Sequence, residues 1–313
     1  MLFKDYLWGT PMDMMYLDSS LFVFDERNES GLFHVIELDR LDSIHSFGEK
    51  GQGDNEFVMP FDFQLINNTV VGVFDLANKS LYPVDLREVK RHLYKYPIYA
   101  KDTIANTIKL IPTIYNTFVA QGFYDDCVFK LWGSGMNEIR SYGEYPYKDA
   151  DEKSIENRLR GMAYQGMIRS NPSRNKFVYA VKSANIIYFY EINPKDLVLV
   201  KKYEYNYPKY ITKVQGDARS APMAPDNNKT FISLCTSERY VYALYSGKNF
   251  KSNGLEAFSG NIMYVFDWSG KPIKKFVLNA SLTQICVNRN DRELFGFSNM
   301  REPVILKFRL NKF

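Results

Sequence analysis

The sequence predicts an all-β protein: one six-bladed β-propeller spanning residues 1–313, built of four-stranded antiparallel blades and closed by the N-terminal strand. Three observations carry this reading. Short apolar, aromatic-rich runs recur at roughly the 8–12-residue spacing of an antiparallel meander. Groups of four such runs repeat about every 50 residues, a period that signals propellers and related arrays. Between the first two groups lies Phe47-Gly48-Glu49-Lys50-Gly51-Gln52-Gly53, followed by Pro60 and the next run from Phe61. Three glycines among charged residues cannot continue a strand, but they suit a wide turn that hands one blade to the next.

The elements follow in order. Blade 1 is expected over residues 12–17, 21–25, 32–38 and 41–47, with Asp18-Ser19-Ser20 as its first turn. Blade 2 takes 61–66, 70–75, 80–85 and 92–96; blade 3 takes 107–112, 117–122, 127–133 and 138–142. Residues 149–160 open with acids and end with arginines, which suits the dipole of a helix inserted before blade 4. Blade 4 is expected over 161–169, 176–181, 186–192 and 197–205. Blade 5 starts at 221–224 and continues through 230–235, 240–245 and 260–268, with a last strand at 272–278 and a polar insertion at 246–259. Blade 6 takes 281–287, 293–297 and 303–310, one strand short. Residues 2–8 precede a Gly-Thr-Pro turn and the first inner strand, so they are expected to supply that strand and remove a sheet edge.

Composition agrees. Aromatics reach 16%, with 23 Tyr and 23 Phe, and favour strands. A net charge of +4 with both signs interspersed gives no basic block, so no nucleic-acid partner is expected. No run is long and apolar enough to span a membrane. Cys127, Cys235 and Cys286 lie far apart in apolar runs and read as buried small side chains. No signal peptide and no lipoprotein cysteine is visible, so the face-value location is cytoplasmic, or periplasmic or cell-surface if a leader was removed.

The chain resembles the TolB-like six-bladed propellers common in Bacteroides-type bacteria. The resemblance covers nearly all of it. It rests on residues 47–53, on Tyr240-Val241-Tyr242-Ala243-Leu244-Tyr245-Ser246-Gly247-Lys248, and on Arg160 opening blade 4. The hand-over is also similar to the Gly-rich linkers of NHL-repeat propellers. The resemblance implies the fold but no activity; many such proteins carry export or lipoprotein signals, so the resemblance leaves the expected location open.

Candidate chemistry is sparse. His34, His45 and His92 all fall in blades 1 and 2, with no metal-protease spacing, nucleophile elbow or P-loop anywhere. Asp13 and Asp62 begin the inner strands of blades 1 and 2, and Asp25 and Asp75 end the second strands. Such carboxylates suit turn N–H groups. A calcium site on the axis is the alternative, and it would make the chain a metal-dependent hydrolase or lyase, with Asp13 and Asp62 as ligands. The equivalent places in later blades read as Asn106, Gly161, Met223 and Thr283, which leaves that oxygen ring incomplete. Arg160, Arg219 and Arg301 are expected on the hand-over face, where guanidinium forks suit carboxylate or phosphate. Asn106 and Tyr242 join them as candidate ligand contacts. The expectation is therefore a monomeric, non-enzymatic binding propeller without a cofactor, taking a protein, a peptide or a small anion at the channel.

Overall fold

Turns rich in Asn, Asp and Gly reverse the chain between β-prone runs, and the reversals stack into blades. A computed structural model describes residues 6–40, 43–53, 55–101, 106–299 and 303–311. Among the described residues five sheets have four antiparallel strands and a sixth has three, together making a six-bladed propeller. Inner strands are Pro11–Leu17, Pro60–Leu65, Thr107–Pro112, Gly166–Ser170, Phe231–Thr236 and Gln284–Val287. Second strands are Ser20–Asp25, Val70–Asp75, Phe118–Gly122, Lys176–Val181, Tyr240–Tyr245 and Glu293–Ser298.

Three expected boundaries move. In blade 2 the outer strand is Ala100–Lys101, not residues 92–96. Asp85 caps a single helical turn, Leu86–Val89, by accepting from the Arg87 N–H (2.9 Å), and this turn diverts the chain. Before blade 4 the expected helix is two: Ala150–Lys153 and Asn157–Ala163. The second runs through Gly161, so the inner strand begins only at Gly166. In blade 5 the inner strand is Phe231–Thr236, and residues 221–224 supply only a lone bridge from Met223 to Tyr210. The hand-over from blade 4 is long and carries its own hairpin, Lys213–Gln215 with Ala218–Ser220. The last two strands of blade 5 are accordingly Gly260–Asp267 and Pro272–Leu282.

Aromatic rings fill the seams between blades. Phe22 of blade 1 meets Phe63 of blade 2 at 5.1 Å between ring centres, and Phe129 of blade 3 meets Phe177 of blade 4 at 5.2 Å. The Gly-rich hand-over closes on itself through a short parallel pair, Glu49–Lys50 with Glu56–Phe57. Gly48 there adopts φ 78°, and a Cβ would lie 2.8 Å from the Phe33 ring, so the tight passage requires glycine. The strand expected over residues 2–8 lies largely outside the described residues. Of its described part, Trp8 is buried between blades, 5.7 Å from Phe297 of blade 6 and 5.8 Å from His34 of blade 1.

His34 gives the fold an acid limit. Its Nδ1 pairs with Tyr6 Oη (3.1 Å) and Ser46 Oγ (2.9 Å), and burial pushes its pKa down to about 4 although the Asp25 carboxylate opposes this. An unfolded histidine titrates near 6.5, so the unfolded chain takes the proton first. Stability from this site is whole above about pH 6.5 and drains away as pH falls toward about 4, by up to about 3 kcal/mol. Urea midpoints at about pH 7 and about pH 4.5 should show the drop, and His34→Gln, which cannot bind that proton, should show a smaller one. Equal drops in both proteins would refute the assignment.

Candidate functional site

The inner strands of four blades begin with the same irregularity. A bulge follows Pro11, Pro60, Thr107 and Phe231, and the residue after it pairs across as Asp13 with Phe24, Asp62 with Phe74, Lys109 with Gln121, and Ser233 with Leu244. The register corrects the expected equivalences: blade 3 offers Lys109 rather than Asn106, and blade 5 offers Ser233 rather than Met223.

Asp13 and Asp62 do converge, but on a guanidinium. Arg169, near the end of the blade 4 inner strand, donates from one terminal nitrogen to Asp13 Oδ2 and from the other to Asp62 Oδ1 (3.4 Å) and the Phe63 carbonyl (3.4 Å). Gln64 Nε2 donates to Asp62 Oδ2 (2.7 Å) and to the Ile168 carbonyl (3.0 Å). Lys109 is buried, and its Nζ donates to the Gly166 carbonyl (2.7 Å). Burial raises the Asp62 pKa above the ordinary carboxylate value, while the Lys109 charge and the Gln64 amide oppose the rise. Burial likewise lowers the Lys109 ammonium, against the pull of Asp62. The two carboxylates therefore already hold, in Arg169, a positive charge where a calcium ion would bring one. Among the described residues no three His, Cys, Asp or Glu side chains group as metal ligands.

The hand-over face of the channel is built from backbone. In blades 1 to 5 the N–H after the second strand donates to the carbonyl just before the inner strand of the same blade: Glu26 to Thr10 (3.3 Å), Leu76 to Met59 (2.8 Å), Phe123 to Asn106 (2.9 Å), Lys182 to Gln165 (3.0 Å) and Ser246 to Thr230 (2.9 Å). Lys182 stands on this rim. It is an exposed residue, although the surrounding channel wall, aided by the Lys109 charge and against the pull of Asp62, pushes its pKa down to about 8. Its ammonium has no hydrogen-bond or ion-pair partner among the described residues, while its main chain donates to Gln165 and accepts from Thr230. Lys229 stands beside it, with Nζ 3.4 Å from Ser183 Oγ and 5.3 Å from the centre of the Phe258 ring. Phe258 belongs to the blade 5 insertion, which is structured rather than a plain loop: Asn249 caps the helix Phe250–Asn253, and a 3-10 segment, Gly254–Phe258, follows. Lying between second and third strands, the insertion shares the face of the hand-overs.

The other candidates lie elsewhere or are engaged. Arg160 is buried within the second inserted helix and donates to the carbonyls of Tyr145 (2.6 Å) and Ile155 (3.2 Å) and to Glu144 (3.3 Å). Arg219, on the extra hairpin, donates to Glu156 (3.1 Å) and to the Gly216 carbonyl (2.8 Å). Both arginines thus tie down the insertion before blade 4. Arg301 lies outside the described residues. Asn106 stands on the rim with φ 75°, contributing its carbonyl to the bracket just described. Tyr242 is fully buried at the seam of blades 5 and 6, donating to Asp291 (2.8 Å) in the first turn of blade 6, at the end of the channel opposite the hand-overs. Sequence reasoning missed Arg169, Lys109, Lys182 and Lys229. The available signal was a charged residue at an inner-strand position or at the strand end beside it.

The profile of a family described as TolB-like 6-blade propeller-like matches residues 1–290. No curated protein matches. Among solved structures the chain is similar to a Bacteroides fragilis protein described as exported, at 12% identity and a TM-score of 0.59, covering 99% of this chain and 93% of that one. It is also similar to a DUF4221 family member from Bacteroides vulgatus, at 9% identity and a TM-score of 0.57, covering 98% and 95%. At these identities the structural likeness speaks for the fold alone.

Proposed function

The chain belongs to the TolB-like six-bladed propeller family, and on that ring we propose a binding rather than a catalytic role, with a carboxylate- or phosphate-bearing ligand held at the hand-over mouth of the channel. The observation that carries this is Lys182: an ammonium on the rim, without a hydrogen-bond or ion-pair partner among the described residues, facing the positive charges of Lys109, Lys229 and Arg169 and the single carboxylate of Asp62. Four cationic side chains gather at the channel against two carboxylates, Asp13 and Asp62, which both bond Arg169, with Asp62 also attracting Lys109 and Lys182. Lys109 and Arg169 are buried and Lys229 partly so, which strengthens an anion contact relative to one in bulk water. The histidines support binding over turnover, since His34 is committed to Tyr6 and Ser46, His45 pairs with Glu37 (3.0 Å) and His92 meets Tyr94 (3.1 Å), all away from the channel.

Calorimetry with inorganic phosphate, citrate and succinate tests the reading. Affinity should fall as pH rises through about 8, where Lys182 loses its proton, because a bound anion favours the charged form. Lys182→Ala should weaken binding by about tenfold or more, as expected for a lost charge-assisted contact. Arg160→Lys should leave affinity unchanged. Binding that ignores both pH and Lys182→Ala would overturn the proposal.

A further inference from the structure

The opposite end of the channel opens into a separate cavity of about 250 Å³, below Arg169 and away from Lys182. Its floor contains Gln64, which is 1% exposed. The amide cannot be turned over, because its nitrogen donates to the Asp62 carboxylate and the Ile168 carbonyl, and an oxygen in that place would face two acceptors. Oε1 is therefore fixed as the free end, and it has no hydrogen-bond partner among the described residues. A buried acceptor left without a donor costs free energy that a suitable ligand group would recover.

The walls above it are largely apolar, with Leu17, Leu65, Pro172 and Val287. The rim carries Arg289, an exposed residue that reaches from blade 6 to blade 2 and donates to Asn68 Oδ1 (2.6 Å). That contact uses one nitrogen of the fork, and Arg289 forms no ion pair among the described residues. Asp18, the carboxylate lining this cavity, is paired with Lys90 (3.4 Å). A donor is thus wanted at the buried floor, an anion at the exposed rim, and a short apolar stretch between them.

We propose that this cavity binds a short aliphatic carboxylic acid bearing a hydroxyl or amine at its far end, with the carboxylate on Arg289 and the terminal donor on Gln64 Oε1. The volume is below the roughly 300–1,000 Å³ of sites for drug-sized ligands, which suits a metabolite-sized guest. Arg169 stands between the two sites, but the ligand contacts proposed for each differ, Arg289 and Gln64 here and Lys182 at the mouth, so either can fail without the other.

The test is calorimetry of the intact protein with 4-hydroxybutyrate, 5-aminovalerate and 6-aminohexanoate, with pentanoate as the chain lacking a terminal donor. At least one of the first three should bind at millimolar or better affinity, and pentanoate about tenfold or more weakly, because it leaves Gln64 unpaired. Arg289→Ala, an exposed change that should keep the thermal midpoint, should weaken binding by about tenfold. Lys182→Ala should leave it unchanged. The side-chain amide signals of Gln64 should shift on titration. No binding by any probe, indifference to Arg289→Ala, or loss with Lys182→Ala would each overturn the proposal; the last would assign the acid to the other mouth.

Discussion

Arg169→Ala should destabilise the protein by about 3–5 kcal/mol, the range for removing one partner of a buried charge cluster. The reason lies in what stays behind. Asp13 and Asp62 project from neighbouring blades into one channel, and Arg169 is the cation they share. Without it Asp62 keeps only the Gln64 amide and the charges of Lys109 and Lys182 to offset its burial. The deficit should shrink as pH is lowered, because protonating Asp62 removes the orphaned charge. A quadruple replacement, Asp13→Asn with Asp62→Asn, Lys109→Met and Arg169→Met, should recover much of the loss, since no buried charge of the cluster is then left without its partner. Urea unfolding of the three proteins at two pH values decides it. A loss below about 1 kcal/mol for Arg169→Ala would show that solvent in the channel screens the cluster.

Asp75→Ala is expected to be nearly as severe, about 4 kcal/mol. This buried carboxylate ends the second strand of blade 2 and accepts from four backbone N–H groups: Val58 (2.7 Å) and Met59 (3.0 Å) through Oδ2, and Ala77 and Asn78 (both 3.0 Å) through Oδ1. One side chain therefore fixes both the hand-over from blade 1 and the turn into the third strand. Alanine strands all four donors. Asparagine keeps an acceptor for one pair and aims its own N–H groups at the other, so it should recover only part of the stability. Asp25 repeats the device in blade 1, accepting from the N–H groups of Gly9 and Thr10. With fewer main-chain donors at stake, Asp25→Ala should cost less. Thermal and urea midpoints would rank the three variants, and a neutral Asp75→Ala would mean that water replaces the carboxylate without loss.

The strand runs of blades 1 and 3 were legible because their turns carry strong local signals, such as Asp18-Ser19 and Asn116 in left-handed backbone. Blade 5 was not, because counting forward by one blade period assumes hand-overs of equal length. The hand-over before it contains a hairpin of its own, which displaced the expected inner strand onto residues 221–224. The turn-capping role of Asp25 and Asp75 could be read from their places at strand ends. Arg169 could not be assigned its role in the same way. Its partners lie 156 and 107 residues away, and only ring closure brings them to it. Lys109 was hidden by the bulge, which shifts the inward-facing position along its strand. Arg160 and Arg219 drew attention because they stand near the right face, yet both are consumed in holding the helical insertion.

The main-chain brackets around the hand-over mouth bear on how such a protein can change. Each is made by an N–H and a carbonyl, atoms that every residue but proline supplies at both ends. The side chains on their donors are as unlike as Glu26, Leu76, Phe123, Lys182 and Ser246, and the brackets form all the same. The mouth thus separates what holds the ring from what decorates it. Its rim behaves as a set of interchangeable sockets, where charge and shape can be rewritten by point mutation while the frame stays put. A propeller organised this way can pass from one ligand to another through a short series of stable intermediates, and a designer could follow the same route deliberately.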